Sequence, residues 1–133
     1  MARCRSLEAP VEKSFEDEIL GKWLEAPVTF GAFENGKLIG FVEGSMESWN
    51  QRFRLSNICV FDHTRRHGGL GTALMNRIIE TAESTGARMI VLEIQSCNES
   101  AIAFYRKNGF SIIGFDLSSY SNKDLERHEV RIE

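Results

Sequence analysis

No apolar run in this chain approaches the ~20 residues a membrane-spanning helix needs, and the first residues carry charges where a signal peptide needs an apolar core. A cytoplasmic location with no membrane partner is therefore expected. A net positive charge is also lacking: the formal net charge is -3 and the pI is near 5.7, which gives no general attraction to nucleic acid or anionic lipid. Cysteine is limited to Cys4, Cys59 and Cys97, an odd set without metal or redox spacing. That excludes a zinc site or a disulfide framework and predicts reduced thiols and no bound metal. There is no repeat, low-complexity tract or linker, so the 133 residues are expected to form one domain, 1–133, large enough to bury a single core.

What is present falls into recognisable elements. Ser14 to Trp23 has the weak amphipathic pattern of a short helix, and Pro27 stops anything helical before the next segment. Val28 to Glu34 and Lys37 to Glu43 flank Asn35-Gly36, the strongest short hairpin signal, and Phe53 to Phe61 reads as a third strand. From Leu70, the apolar residues Leu74, Met75, Ile78, Ile79 and Ala82 keep helical spacing until Ser84-Thr85-Gly86. Arg88 to Ile94 is a nearly continuous apolar strand, the pattern of a strand covered on both faces. Asn98 caps a helix that ends at Asn108-Gly109, Phe110 to Phe115 begins another strand, and His128 to Ile132 supplies a last one.

The stretch from Ser56 to Leu74 carries the chemistry. An apolar strand runs through an arginine- and glycine-rich turn directly into a helix, whose first-turn N–H groups lack partners and whose dipole adds partial positive charge. Such a terminus is a phosphate pocket, and Gly68, Gly69 and Gly71 let an anion approach where a Cβ would obstruct it. A P-loop is excluded because Gly71 is followed by Thr72 and Ala73 rather than Lys-Ser/Thr. A dinucleotide fingerprint is excluded because Leu74 stands where the third glycine belongs, and because the hairpin makes the preceding strands antiparallel.

The six residues Arg66-His67-Gly68-Gly69-Leu70-Gly71 match R/Q-x-x-G-x-G/A. About thirty residues on, LEIQSCNESAIAFYRKNGF from Leu92 to Phe110 supplies a second motif through Glu93, Asn98, Ala101, Tyr105 and Gly109-Phe110. On these two motifs the chain resembles the GNAT superfamily of acetyltransferases from Val28 onward. The resemblance implies an α/β (α+β) fold: a mixed, mostly antiparallel central sheet with a splayed parallel strand pair, flanked by helices, here with abbreviated N-terminal elements. It implies acetyl-CoA as cosubstrate. The pyrophosphate would lie on Arg66, His67, Gly68, Gly69, Leu70, Gly71 and Thr72, the pantetheine arm along backbone groups of Ile58, Cys59 and Val60, and Asn98 would add a cofactor contact to its capping role. The loop from Val60 to Arg66 is one residue longer than the compact form, and His67 stands where many relatives have glycine, which favours a solvent-facing His67. His63 and His128 lack partners at ligand or triad spacing.

Acetyl transfer to an amine needs a neutral amine, a stabilised oxyanion and a proton for the departing thiolate. The resemblance gives Tyr105 the role of general acid beside the sulfur, against the plainer reading that it packs beside Ile102. Glu93 matches the proposed base of ribosomal-protein N-terminal acetyltransferases; it either takes the amine's proton through water or orients neighbouring groups. In histone-type members a carboxylate precedes the apolar part of the preceding strand; here that position is Asn57, which has no basic atom.

The run from Gly114 to Ser121 resembles the GFD-x-x-x-Y segment of streptothricin-type acetyltransferases, and Glu43, Glu47, Trp49 and Asp116 are candidates to line a cationic amine site. A small-molecule amine, an antibiotic or metabolite, is the expected acceptor. A protein or peptide N-terminus is the alternative, and a noncatalytic acyl-CoA-binding module is the non-enzymatic one. The short N-terminal region and a last strand close to the C-terminus leave a sheet edge open, so a homodimer sharing or exchanging C-terminal strands is expected.

Overall fold

A computed structural model describes residues 21–22, 24–62 and 68–133, together with the backbone of residues 2–5 and 10–13. In chain order the elements are β1 (Ala2–Arg5), β2 (Pro10–Lys13), β3 (Val28–Glu34), β4 (Lys37–Glu47), β5 (Arg52–Val60), α1 (Leu70–Ser84), β6 (Met89–Val91), β7 (Ile94–Gln95), α2 (Glu99–Lys107), β8 (Phe115–Asp116), α3 (Asp124–Arg127) and β9 (Arg131–Ile132). The chain divides into two units, Glu18–Leu92 and the combination of Met1–Asp17 with Glu93–Glu133.

The Glu18–Leu92 unit is built on the hairpin that Asn35-Gly36 announces. Both residues take positive φ, 50° and 77°, the left-handed pair a two-residue hairpin turn requires. The sheet runs β3-β4-β5-β6, antiparallel except for the last pair. β5 and β6 are parallel and pair only from Arg52↔Met89 to Arg54↔Val91. From Leu55 to Val60, β5 continues beyond the last of these pairs, and this is the expected splay. The β4–β5 register shifts after Glu43, so that Glu43 faces Asn57 while Gly44 faces Leu55. Ser56 is the extra residue of that bulge.

Helix α1 covers one face of this sheet. Leu74, Met75, Ile78 and Ala82 recur at helical spacing and are buried against β3, β4 and β5. With Val42, Phe53, Leu55 and Val91 they form the core. The Arg77 guanidinium lies 4.7 Å from the centre of the Phe30 ring, on the same face. Because strand side chains alternate, Phe30 and its register partner Val42 point toward α1, while Thr29, Glu43 and Asn57 point to the opposite face.

In the other unit β7, β9 and β8 form a small antiparallel sheet, with β9 in the middle. Several sequence expectations need correction here. The strand expected over Arg88 to Ile94 is two short strands, since β6 pairs with β5 and β7 with β9, and Leu92-Glu93 belong to neither. The strand expected from Phe110 is reduced to Phe115–Asp116, although Ile113 and Gly114 still bond to Glu133 through the backbone. The last strand begins only at Arg131, because His128 ends the unforeseen helix α3 with φ 57°, a left-handed turn that no strand can contain. The expectation of reduced thiols fails at Cys97, which is disulfide-bonded; Cys59 is free. An odd count permits one bond and one free thiol, and pairing depends on Cα separation in the fold, which sequence spacing does not reveal. The helix expected over Ser14 to Trp23 falls mostly outside the described residues; Gly21 and Lys22 are not helical.

Candidate active site

The first group of expected site residues sits where β5 leads toward α1. Arg66 and His67 lie outside the described residues. Gly68 and Gly69 are exposed, and Gly69 takes φ 85° as the N-cap of α1, with nothing within 4 Å of the place a Cβ would occupy. As a glycine it has no side chain to cap the helix, and the first turn holds no acidic residue. Leu70, Gly71 and Thr72 therefore start a 15-residue helix whose positive end is bare of side-chain caps, which suits an anion. Immediately upstream, the Phe61 amide donates to Ile39 at 3.0 Å, so by alternation Ile58 and Val60 direct their backbone groups away from β4, toward the side on which β6 has ended. Ile58, Cys59 and Val60 are half-buried. A strand edge of this kind accepts an extended chain bearing amides.

The second group lies in the other unit. Asn98 caps α2 as expected, its Oδ1 accepting from the Ala101 amide at 3.3 Å. Tyr105 is flanked edge-on by Phe104 and Phe110, with ring centres 5.5 and 5.9 Å away, and not only by its helix face. Burial pushes its phenol up to about 12, so it keeps its proton at neutral pH. Glu93 is tied to Arg131, whose Nη2 lies 3.1 Å from its carboxylate. Arg131 also pairs with Glu133 and donates to the Ser119 hydroxyl at 3.4 Å. Burial first, and the Glu93 charge second, raise the Tyr120 phenol. The segment leading to Tyr120 is pinned by Asp124, which accepts from the Tyr120 amide and the Ser121 hydroxyl, both at 2.8 Å.

The residues proposed for a cationic site separate clearly. Trp49 is 79% exposed, and Asp116 is exposed with its carboxylate on the Ser118 amide. Glu47 is held by Arg54 at 2.9 Å and Arg52 at 3.5 Å. Burial opposes its ionisation, but these arginines and Asn50 outweigh it and lower its carboxyl. Glu43 alone of the four is wholly buried, and its cross-strand neighbours could not be read from the sequence because the pairing depends on the bulge. No group of three or more potential metal ligands occurs among the described residues, and no described helix is long and apolar enough to cross a membrane.

Comparison with known proteins follows the same lines. Residues 2–110 match the model of the acetyltransferase (GNAT) family. A streptothricin acetyltransferase of Streptomyces lavendulae is 32% identical over 111 residues, 84% of this chain but only 58% of that relative, so the chain spans about three fifths of its length. The crystal structure of a nourseothricin acetyltransferase superposes with a TM-score of 0.76 at 32% identity, covering 95% of this chain and 70% of its own. A Bacillus anthracis protein solved in complex with acetyl coenzyme A gives 0.72 at 31% identity, covering 80% and 60%. The mixed sheet, the lapsed parallel pair and the family match agree: the chain belongs to the acetyltransferase (GNAT) family.

Proposed function

We propose that this protein is an acetyl-CoA-dependent N-acetyltransferase, over residues 1–133, that acetylates a primary amine of a small molecule by direct attack in a ternary complex. The observation that carries the reading is the uncapped, glycine-led start of α1 beside a β5 edge that β6 leaves open after Arg54. Gly68, Gly69, Leu70, Gly71 and Thr72 would hold the pyrophosphate, with Arg66 and His67 completing that loop, and Ile58 and Val60 would bond the pantetheine amides on either side of Cys59, whose own backbone groups face β4. Asn98 adds a cofactor contact to its cap. The neutral amine nitrogen attacks the thioester carbonyl, the C–N bond forms, and the C–S bond breaks. Tyr105 gives its proton to the departing sulfur and regains one from solvent. Glu93, fixed by Arg131, orients the acceptor or passes its proton to water. The streptothricin and nourseothricin acetyltransferases among its relatives favour an antibiotic-like acceptor. The expected homodimer remains part of this reading, since β8 lies at the edge of its sheet.

Thermal shifts with acetyl-CoA, NAD and ATP test the cofactor, and thiol release over streptothricin, aminoglycosides, polyamines and short peptides tests the acceptor. Stabilisation by acetyl-CoA alone and turnover of a small amine are expected. Acetyl-CoA binding with no acceptor turned over would make the chain a noncatalytic acyl-CoA-binding module; turnover of peptides alone would make it a protein N-terminal acetyltransferase.

A further inference from the structure

Two segments of the C-terminal unit carry side chains of chemical interest on irregular backbone. Leu92-Glu93 belongs to neither β6 nor β7, and residues 117–123, with Ser119 and Tyr120, run outside any strand or helix between β8 and α3. No ladder aims Glu93 or Ser119, so their directions depend on bonds made by side chains. Arg131 supplies such bonds to both. It stands on β9, the middle strand of its sheet, paired with Gln95 of β7 on one side and Asp116 of β8 on the other. From that fixed point the guanidinium divides: Nη2 lies 3.1 Å from the Glu93 carboxylate, and Nη1 donates to the Ser119 hydroxyl at 3.4 Å. Nη2 also meets the Glu133 carboxylate, and the Glu133 backbone is itself bonded to Ile113 and Gly114. That hydrogen bond from Glu133 is the first cause that raises Arg131 above its ordinary pKa, so the guanidinium stays charged.

Stability does not account for the arrangement. The Arg131 and Glu93 side chains are 31% and 37% exposed, and an ion pair this open to water adds little to folding. What it fixes is direction. A planar guanidinium carries its donors in a rigid fork and can hold two groups at a set separation, which a lysine ammonium cannot do. The half-exposed Tyr120 phenol belongs to the same neighbourhood, since after burial the Glu93 charge is the next cause that raises its pKa. The Tyr120 amide is held in turn by Asp124 at 2.8 Å.

We propose that Arg131 is a positioning residue for acetyl transfer: its guanidinium ties the Glu93 carboxylate to the Ser119-Tyr120 segment, so that Glu93 meets the acceptor amine in one fixed direction. The inference rests on the transferase reading, in which Glu93 orients the acceptor or passes its proton to water, and adds the residue through which that carboxylate is aimed. Arg131 acts through Glu93, and no proton step is assigned to it.

A double-mutant cycle on Arg131 and Glu93 tests this, read as kcat/KM for streptothricin, spermidine and a short peptide, with acetyl-CoA affinity measured separately by calorimetry. Arg131→Met keeps the aliphatic stem but removes the fork. It should lower kcat/KM about 10- to 100-fold, the scale of misplacing a reacting group by about an ångström, while acetyl-CoA affinity keeps its wild-type value. Glu93→Gln should cost at least as much, and the double variant no more than Glu93→Gln alone, because Arg131 works through the carboxylate. Arg131→Lys keeps the charge without the fork and should fall between wild type and Arg131→Met. Losses that multiply in the double variant overturn the inference, as does wild-type kcat/KM in either single variant or a fall in acetyl-CoA affinity with Arg131→Met. Should Arg131→Met not fold, Arg131→Lys completes the same cycle with Glu93→Gln, and the same outcomes decide it. Wild type that acetylates one of these amines while the losses multiply sinks this proposal and leaves the transferase reading standing; wild type that binds acetyl-CoA and acetylates none of the three sinks both.

Discussion

The two units hold themselves together by different means. Between Glu18 and Leu92, Val42, Phe53, Met75, Ile78 and Ala82 are at most 1% exposed, and α1 closes over the sheet in an apolar contact. In the other unit α2 has no wholly buried residue, and Ile112, Ile113, Phe115, Leu117 and Leu125 are 48–70% exposed. Its order comes from polar and covalent ties instead: the Asn98 cap, the Asp124 bonds to Tyr120 and Ser121, the Arg131 ion pairs and the disulfide at Cys97. The groups assigned to hold the pyrophosphate and the pantetheine arm thus stand on an apolar scaffold, whereas Asn98, Tyr105 and Glu93 stand on a polar one.

The contrast is broken most directly by paired truncations. Ile78→Ala should lower unfolding free energy by about 2–5 kcal/mol, because it opens a cavity under α1. Ile113→Ala, at a residue 58% exposed, should change it by less than about 0.5 kcal/mol. Urea denaturation of both variants decides the matter, and equal losses would mean that the C-terminal apolar residues are covered in solution.

Legibility from sequence follows the same division. The hairpin was readable because Asn35 and Gly36 determine their turn locally, and α1 because a buried stripe at helical spacing repeats over four turns. The Asn98 cap and the Gly109 stop, with φ 93°, are equally local. What could not be read depends on partners far along the chain. The strand expected over Arg88 to Ile94 breaks because its two ends find different neighbours, and the His128 turn is imposed by α3. The cofactor loop was legible as glycines before a helix, but Glu43 looked like any alternating strand carboxylate. Its burial depends on a bulge at Ser56 that no local signal marks.

A second test sharpens the comparison at the residue proposed to act on sulfur. Tyr105→Phe should lower turnover about 10²-fold while leaving acetyl-CoA affinity nearly unchanged, since only a proton donor is removed. The same substitution checks burial of the phenol. With its pKa raised from 10 to about 12 in the folded protein, Tyr105 stays protonated where the unfolded chain has begun to ionise. Its contribution is therefore intact below pH 10 and is lost as pH rises through 12. Denaturation midpoints should fall across that window in the wild type and fall less in Tyr105→Phe. Matching pH profiles would show the phenol to be solvated.

The smallest expected effect lies in the cap of α2. Asn98→Ala removes the bond from Oδ1 to the Ala101 amide and should cost about 1 kcal/mol. In a helix packed like α1 such a loss would be absorbed by the buried stripe. Helix α2 has nine residues, none fully buried, and its length alone would leave it marginal in water. The loss should therefore appear as local opening. Hydrogen exchange at the amides of Ile102 to Tyr105 should quicken about fivefold or more, the kinetic equivalent of that energy, while amides of α1 keep their wild-type rates. Equal acceleration in both helices would mean that the units open together, and the polar ties of the second would then be no weaker than the apolar core of the first.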